Sequence, residues 1–259
     1  MQCTRPFLLE GERLVPCGKC TACRIRRTSD WTLRLLHELE SWDDATFITI
    51  TYDEEHLPPQ ENLEKTALQK WFKRLRKQLD ERRIKYYACG EYGDKNGRPH
   101  YHAIVFGLNR VHDKETVEDT WPYGHVYMGT VTADSIKYVA GYVHKKYSAQ
   151  YEYPGKTPPF QLQSQGLGLE FAMQYKDRFT KDLSTTIKGT RVGLPRYYIK
   201  KLEIDPEKRE ALAKDRVKDL NEQLSEHSER QARQIVIADR RQRERNLKSK
   251  TSLKNKGKL

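Results

Sequence analysis

The pattern of apolar and polar positions divides the first 147 residues into regular elements. Trp31, Leu35, Leu39 and Trp42 recur at helical spacing, which predicts a helix over 29–42 capped by Ser29 or Asp30. Residues 46–52, TFITITY, are β-branched and aromatic and read as a strand. A polar, proline-bearing loop follows from Asp53 to Asn62. Leu68, Phe72, Leu75 and Leu79 form the apolar stripe of a second helix, over 64–82, whose outer face holds Lys70, Lys73, Arg74, Arg76 and Lys77. Residues 84–91 (IKYYACGE) and 100–107 (HYHAIVFG) read as two strands, and the turn-rich GDKNGRP between them predicts a hairpin. A further strand is expected over 124–131 and a helix over 133–147, with Asp134 or Ser135 near its start. Beyond 147 the pattern weakens. Pro154, Pro158 and Pro159 mark a loop, and one more helix, rich in Glu, Lys, Arg, Gln and Ala, is expected over 205–239. The order strand–helix–strand–strand–strand–helix predicts an α+β fold, with a central, mainly antiparallel sheet flanked by helices.

A chain of 259 residues suffices for one sizeable core and a small appendage. With 36% hydrophobic residues and 32% charged, it reads as globular with a wet surface. No run of about 18 apolar residues occurs, so no membrane partner is expected. The opening MQCTRPFLLEGERL lacks the basic-then-apolar layout of a secretion signal, so a cytoplasmic location is expected. Charge changes the picture at one end. Of the formal net +12, residues 240–259 carry +8, from nine basic residues and one acid, Glu244. Such a block binds polyanions by counterion release without reading sequence, or serves as a solubilising tail. The chain is expected to divide into a Cys-rich module over 1–28, a main domain over 29–204, and a helical extension with a basic tail over 205–259.

Three groups carry candidate chemistry. His100 and His102 lie two apart in a strand, so both imidazoles project to one face while Tyr101 points away. Two neutral imidazoles form half a site for a divalent cation. A hard ion such as Mg2+ or Mn2+ needs a carboxylate as well, and Glu91, at the end of the preceding strand, is the best placed. A symmetric seven-residue turn would pair Tyr92 with His100 and face Glu91 the wrong way; a bulge or a one-residue shift is needed. Tyr138 and Tyr142 lie four apart on the predicted helix and share a face, with Lys145 and Lys146 following. A tyrosine hydroxyl attacks a phosphodiester once a metal polarises the phosphate or a cation favours the phenolate. Two packed core tyrosines are the plainer alternative. Finally, Cys3 with Cys17-x-x-Cys20-x-x-Cys23 offers four thiolates, enough for a tetrahedral Zn2+ site or else a cluster of free thiols, while Cys89 reads as core.

The succession of TFITITY, GRPHYHAIVFG and YVAGYVHKK resembles the HUH superfamily of replication initiators, and within it the initiators of gokushovirus-type Microviridae, small single-stranded DNA phages. PCGKCTACR before a Trp-containing helix, and FQLQSQGLGLEF before VGLPRYYIKKL, resemble the same group. The likeness covers roughly residues 1–205; the last 55 residues carry no motif. It implies an HUH-like domain in which His100, His102 and Glu91 hold Mg2+ or Mn2+. It implies that Tyr142 and Tyr138 are paired nucleophiles, with Lys145 or Lys146 steadying the phosphate. Gly141 departs from relatives that carry a lysine there, which ranks Tyr142 first. The implied activity is nicking of single-stranded origin DNA, a 5′-phosphotyrosine link, and later religation in rolling-circle replication. Host helicase and polymerase are the implied partners, since no GxxxxGK[ST] motif is present. Three alternatives stay open: a plasmid or mobile-element nickase or transposase of the same superfamily, a non-catalytic zinc-bearing DNA-binding protein, and a DNA-coating protein.

Overall fold

The computed structural model describes residues 3–9, 13–80, 82–93, 96–145, 153–187, 189–208, 210–211 and 224–256. Its centre is a five-stranded sheet built from β3 (Ala45–Thr51), β4 (Lys85–Tyr92), β5 (Pro99–Phe106), β6 (Val126–Thr130) and β7 (Phe160–Gln163). The short hairpin of β1 (Phe7–Leu9) and β2 (Arg13–Val15) precedes it. The strand order is β6-β3-β5-β4-β7 and every pairing is antiparallel. The expected α+β class with a helix-flanked antiparallel sheet is the one observed.

Strand alternation splits the sheet into two faces. On one, Ile48, Ile50, Tyr101, Ala103 and Val105 meet helix α2 (Lys65–Gln78) through Leu68, Trp71, Phe72 and Leu75. On the other, Tyr87, Cys89, Ile104 and Phe106 pack against α1 (Thr21–Leu39) and α4 (Ala133–Lys145) through Leu35, Ile136, Val139 and Ala140. The short α3 (Lys114–Thr120) closes the α2 side, its Val117 in the same core. Tyr101 points into that α2 core, where its hydroxyl hydrogen-bonds to that of Tyr52 at 2.9 Å.

Several boundaries differ from the sequence pattern. Helix α1 starts at Thr21, eight residues before Ser29, so that Cys23 falls in its first turn. Helix α2 stops at Gln78 rather than at residue 82, where Asp80 turns to φ +48°. The region after residue 147, where the sequence pattern weakens, contains β7, α5 (Leu169–Gln174), α6 (Lys176–Asp182), the hairpin β8 (Ser184–Ile187) with β9 (Thr190–Gly193), and α7 (Arg196–Lys201). These elements are four to seven residues long, too short for a periodicity to emerge. The FQLQSQGLGLEF stretch makes β7 and the turn into α5, where Gly168 holds a left-handed φ of +72°. A Cβ there would stand 2.2 Å from Tyr198 Oη and 2.6 Å from the Arg34 carbonyl, so only glycine fits. Of the helix expected over 205–239, residues 206–208, 210–211 and 224–225 are helical and 229–239 belong to α8 (Glu229–Lys256), while 209 and 212–223 lie outside the described residues. Helix α8 enters through Ser228, whose amide and hydroxyl both bond Gln231 Oε1, at 3.1 and 2.9 Å.

Glu38, near the end of α1, ties three elements together from inside. Its carboxylate accepts from Lys85 Nζ at 2.6 Å, Trp42 Nε1 at 2.7 Å and the Gly168 amide at 2.6 Å. A buried carboxylate is tolerated because all of these donors reach it.

Candidate metal and tyrosine site

The β4–β5 hairpin settles where Glu91 points. The turn is one residue shorter than a symmetric closure on His100: Tyr92 pairs with Pro99, Glu91 with His100, and Cys89 with His102. The Gly93 amide donates to the Arg98 carbonyl at 2.9 Å and closes it. Residues paired across antiparallel strands share a face, so Glu91, His100 and His102 converge above the α1–α4 side of the sheet. This is the shift that the sequence required.

One carboxylate oxygen, Glu91 Oε1, stands 3.1 Å from His100 Nε2 and 3.1 Å from His102 Nε2. The three donor atoms lie within 4.8 Å of one another and could hold a metal ion. Each imidazole is fixed from behind. His100 Nδ1 stands 3.1 Å from the Arg98 carbonyl, and His102 Nδ1 stands 2.9 Å from Thr49 Oγ1. A carbonyl only accepts, so His100 Nδ1 carries a hydrogen and Nε2 is left to face Glu91 Oε1, through a proton when no ion is bound or through an ion when one is held. Two imidazoles and a carboxylate, oriented by partners behind them, fit a divalent ion. Burial raises the Glu91 carboxyl, but the hydrogen bonds from His100 and His102 outweigh it and hold it ionised below its ordinary range. Burial lowers His102, against the pull of Glu91. Both directions favour the state that ligates: carboxylate and neutral imidazole.

The predicted tyrosine pair lies against this triad. Ile136, Val139 and Ala140 bury one face of α4, which turns Tyr138 and Tyr142 toward the sheet face that carries the histidines. Tyr142 donates to the Tyr138 hydroxyl at 2.6 Å. The Tyr142 ring stacks on His102 with centroids 5.3 Å apart, and the Tyr138 ring meets His102 edge-on at 5.3 Å. Burial, the Tyr138 hydrogen bond and the charge of Glu91 all push the Tyr142 phenol far above its ordinary range. Tyr138 is 40% exposed and Tyr142 is half-buried. Lys145 ends α4, but its side chain is outside the described residues, and Lys146 lies outside them altogether.

Sequence reasoning missed part of this surround. Thr49, Phe47 and Tyr127 share the face of the triad, because Thr49 pairs with His102 on one side and with Tyr127 on the other. The alternation in TFITITY carries the signal for Thr49. Cys89 is core, as expected, and is buried directly beside Glu91 on the same strand face; burial, then the charge of Glu91, pushes its thiol up. His37 lies 3.1 Å from Tyr198 Oη and stacks on Phe171 at 4.1 Å. Tyr197 lies under the Arg34 guanidinium at 3.7 Å, and Tyr198 is buried.

A second ligand cluster stands apart. The Sγ atoms of Cys3, Cys17, Cys20 and Cys23 lie within 4.8 Å of one another, could hold a metal ion, and form no disulfide. No helix among the described residues is long and apolar enough to cross a membrane.

Known proteins add context to this geometry. A family model of the replication-associated protein ORF2 type matches residues 45–147, which run from β3 to just beyond α4 and so contain every residue of the triad and both tyrosines. Replication-associated protein VP4 of Bdellovibrio phage phiMH2K is 31% identical over 207 residues, covering 71% of this chain and 65% of that protein. Replication-associated protein ORF4 of Chlamydia phage 1 is 30% identical over 209 residues, covering 71% of this chain and 52% of that protein. The chain thus spans less than two thirds of either. Replication-associated protein ORF2 of Spiroplasma virus 4 is 32% identical over 237 residues, covering 77% of this chain and 74% of that protein. No solved structure matches significantly. The resemblance to phage replication initiators seen in the sequence agrees with these relatives, and the chain belongs to the replication-associated protein ORF2 family.

Proposed function

We propose that this protein serves phage DNA replication as a metal-dependent nickase that joins one of its own tyrosines to a 5′ end of single-stranded DNA and later reseals the strand. The observation that carries the reading is the packing of both tyrosine rings on His102, beside the Glu91–His100–His102 triad. A core tyrosine pair has no need of three converging metal ligands, and a structural metal site has no need of two adjacent phenols.

The relatives' names speak of replication, and replication of a circular strand requires a 3′ end to extend. Tyrosine attack at phosphorus breaks the bond to the 3′ oxygen, which leaves with a proton as a hydroxyl, while the phosphate stays on the tyrosine. The bond energy is kept, so the hydroxyl of a displaced strand can reverse the step. Mg2+ or Mn2+, held by Glu91, His100 and His102, would polarise the scissile phosphate and offset the Glu91 charge that opposes ionisation of Tyr142. The rest falls to the chain. Tyr142 donates to Tyr138, so the hydrogen bond at 2.6 Å gives the Tyr142 proton a path to the more exposed hydroxyl. Either phenol can face the same phosphate, which suits alternating cuts at the start and end of a round. Tyr142 is ranked first as nucleophile, with Lys145 and Lys146 assigned to steady the phosphate. Tyr127, 62% exposed two positions across the sheet from His102, offers a ring on which an unpaired base can stack. The basic faces of α2 and α8 supply phosphate contacts. Origin DNA and the host helicase and polymerase complete the set of partners, in the host cytoplasm.

The test is a covalent-adduct assay. Labelled single-stranded DNA from the element's own genome is incubated with the protein and Mn2+, then run on a denaturing gel with and without chelator. A metal-dependent, denaturation-resistant band that disappears in the Tyr138→Phe/Tyr142→Phe double variant is expected. Tight DNA binding with no adduct across every segment of that genome would overturn the reading in favour of a non-catalytic binder.

A further inference from the structure

We propose that Cys3, Cys17, Cys20 and Cys23 bind one structural Zn2+, which fixes the start of α1 and through it the seating of α4; the significance of α4 rests on the reading of Tyr138 and Tyr142 given above.

The spacing of the sulfurs is that of ligands around one ion. Four sulfurs each about 2.3 Å from a central zinc stand about 3.8 Å apart at the corners of a tetrahedron. Cys3 Sγ lies 3.5 Å from Cys17 Sγ and 3.8 Å from Cys20 Sγ, with the whole set inside 4.8 Å. A disulfide would need about 2.05 Å. A 4Fe–4S cluster, which gives each thiolate its own iron, would hold the cysteines further apart despite the matching Cys-x-x-Cys-x-x-Cys run. Thiolates are soft and select zinc over the hard ions suited to Glu91, His100 and His102, so the chain sorts two metals by ligand chemistry.

The backbone is arranged for thiolates. The amides of Arg5 and Cys17 donate to Cys3 Sγ at 3.4 and 3.3 Å, and the Cys20 amide donates to Cys17 Sγ at 3.3 Å. Donors aimed at sulfur favour the ionised form and orient it. Gly18, at φ +71°, lets the chain double back between Cys17 and Cys20. Cys20 is the N-cap residue of α1, yet its side chain makes no capping bond and turns to the other sulfurs. The first turn of α1 contains no acid, so the thiolates supply the negative charge its N-terminus favours.

The site lies where three parts of the chain meet. Two turns along α1, Thr28 Cγ2 is the neighbour of Gly141, 3.8 Å from where a Cβ there would stand. Gly141 lies between Tyr138 and Tyr142. Further along, Trp31 and Leu35 share a core with Ile136, Val139, Ala140 and Tyr142. On the other side Arg5, two residues from Cys3, pairs with Glu244 of α8 at 3.1 Å. An ion at the cysteines therefore anchors one end of a helix whose next turns support the tyrosine helix.

The experiment uses the full chain, purified with Zn2+ and then dialysed against Zn2+-free buffer. Metal analysis should find one Zn2+ per chain, retained in His100→Ala/His102→Ala and lost in Cys17→Ser/Cys20→Ser. Co2+ exchanged into the wild type should give the strong thiolate-to-metal charge-transfer absorption of a tetrahedral sulfur site. The serine variants are expected to be less stable, so the wild type is also probed by thiol labelling, where a chelator should expose four thiols and leave Cys89 unlabelled. Amide exchange on zinc removal should quicken in 21–28 and 136–142 but not in β5. Zinc absent from the wild type, iron and sulfide in its place, or zinc lost with the histidines would overturn the site. Zinc present with no change in exchange at 136–142 would overturn the coupling. A zinc-loaded chain that forms no DNA adduct would count against the nickase and leave the zinc site standing.

Discussion

His102 keeps its orientation because Thr49 Oγ1 stands 2.9 Å from its Nδ1, leaving Nε2 to face Glu91. Valine has the shape of threonine without the hydroxyl, so Thr49→Val removes that partner and little else. Groups that orient a ligating histidine are worth about 10–100-fold in metal affinity. Mn2+ titration of the variant should show a weakening in that range, with the melting temperature close to wild type. Unchanged affinity would mean that packing against Phe47 and Tyr142 suffices to hold the ring. How much of the site could be read from sequence follows the same logic. The His-x-His pair and the Tyr-x-x-x-Tyr pair are legible because their spacings match the periods of strand and helix. Glu91 was conditional, because its face depends on a turn length that GDKNGRP does not determine. Thr49 was hidden in a strand whose alternation was visible but whose neighbour was not.

Helix α1 links the site to the C-terminal elements through His37, which stacks on Phe171 and lies 3.1 Å from Tyr198 Oη. Burial drives the imidazole pKa down to about 4. Since it lies below the unfolded value of about 6.5, the unfolded chain binds more protons in the window between the two. Stability is therefore intact above pH about 6.5 and falls as pH drops towards about 4, by up to about 3 kcal/mol. Urea melts of wild type and His37→Gln at pH about 7 and about 5 should differ in how far the midpoint falls between the two, with the variant losing less on acidification. An equal loss in both would place the acid sensitivity elsewhere. The elements that His37 holds were the ones missed. Elements α5, α6 and α7 are six or seven residues long, and their apolar positions, such as Ala172, Phe179 and Tyr198, close a core that exists only once the chain has folded back on α1. Long elements announced themselves, while short ones depended on partners that no local pattern reveals.

Across the whole chain, charge and chemistry are segregated. The triad and tyrosines lie on the α4 face of the sheet, while nine of the basic residues fall within 240–259, mostly along the end of α8. A helix this polar gains little from packing, and its side-chain links are mainly of the i, i+4 kind, such as Asp239 with Arg243 at 2.8 Å and Glu244 with Lys248 at 3.7 Å. These contribute only a few tenths of a kcal/mol each. Its role in the proposed function is therefore electrostatic, and the contribution is separable from cutting. Each phosphate contact on single-stranded DNA adds about 0.7 to the slope of log affinity against log salt. Deleting residues 240–259 removes +8, so the slope should fall by at most about 6, with weaker binding at moderate salt. Adduct formation at low salt and saturating DNA should persist, because no ligand or tyrosine is lost. The measurement is a salt series of DNA affinity for both forms, paired with the adduct assay. An unchanged slope would show that the basic end of α8 does not touch DNA. Loss of adduct at saturation, with the slope unchanged, would point instead to the contact between Arg5 and Glu244, which the deletion also removes.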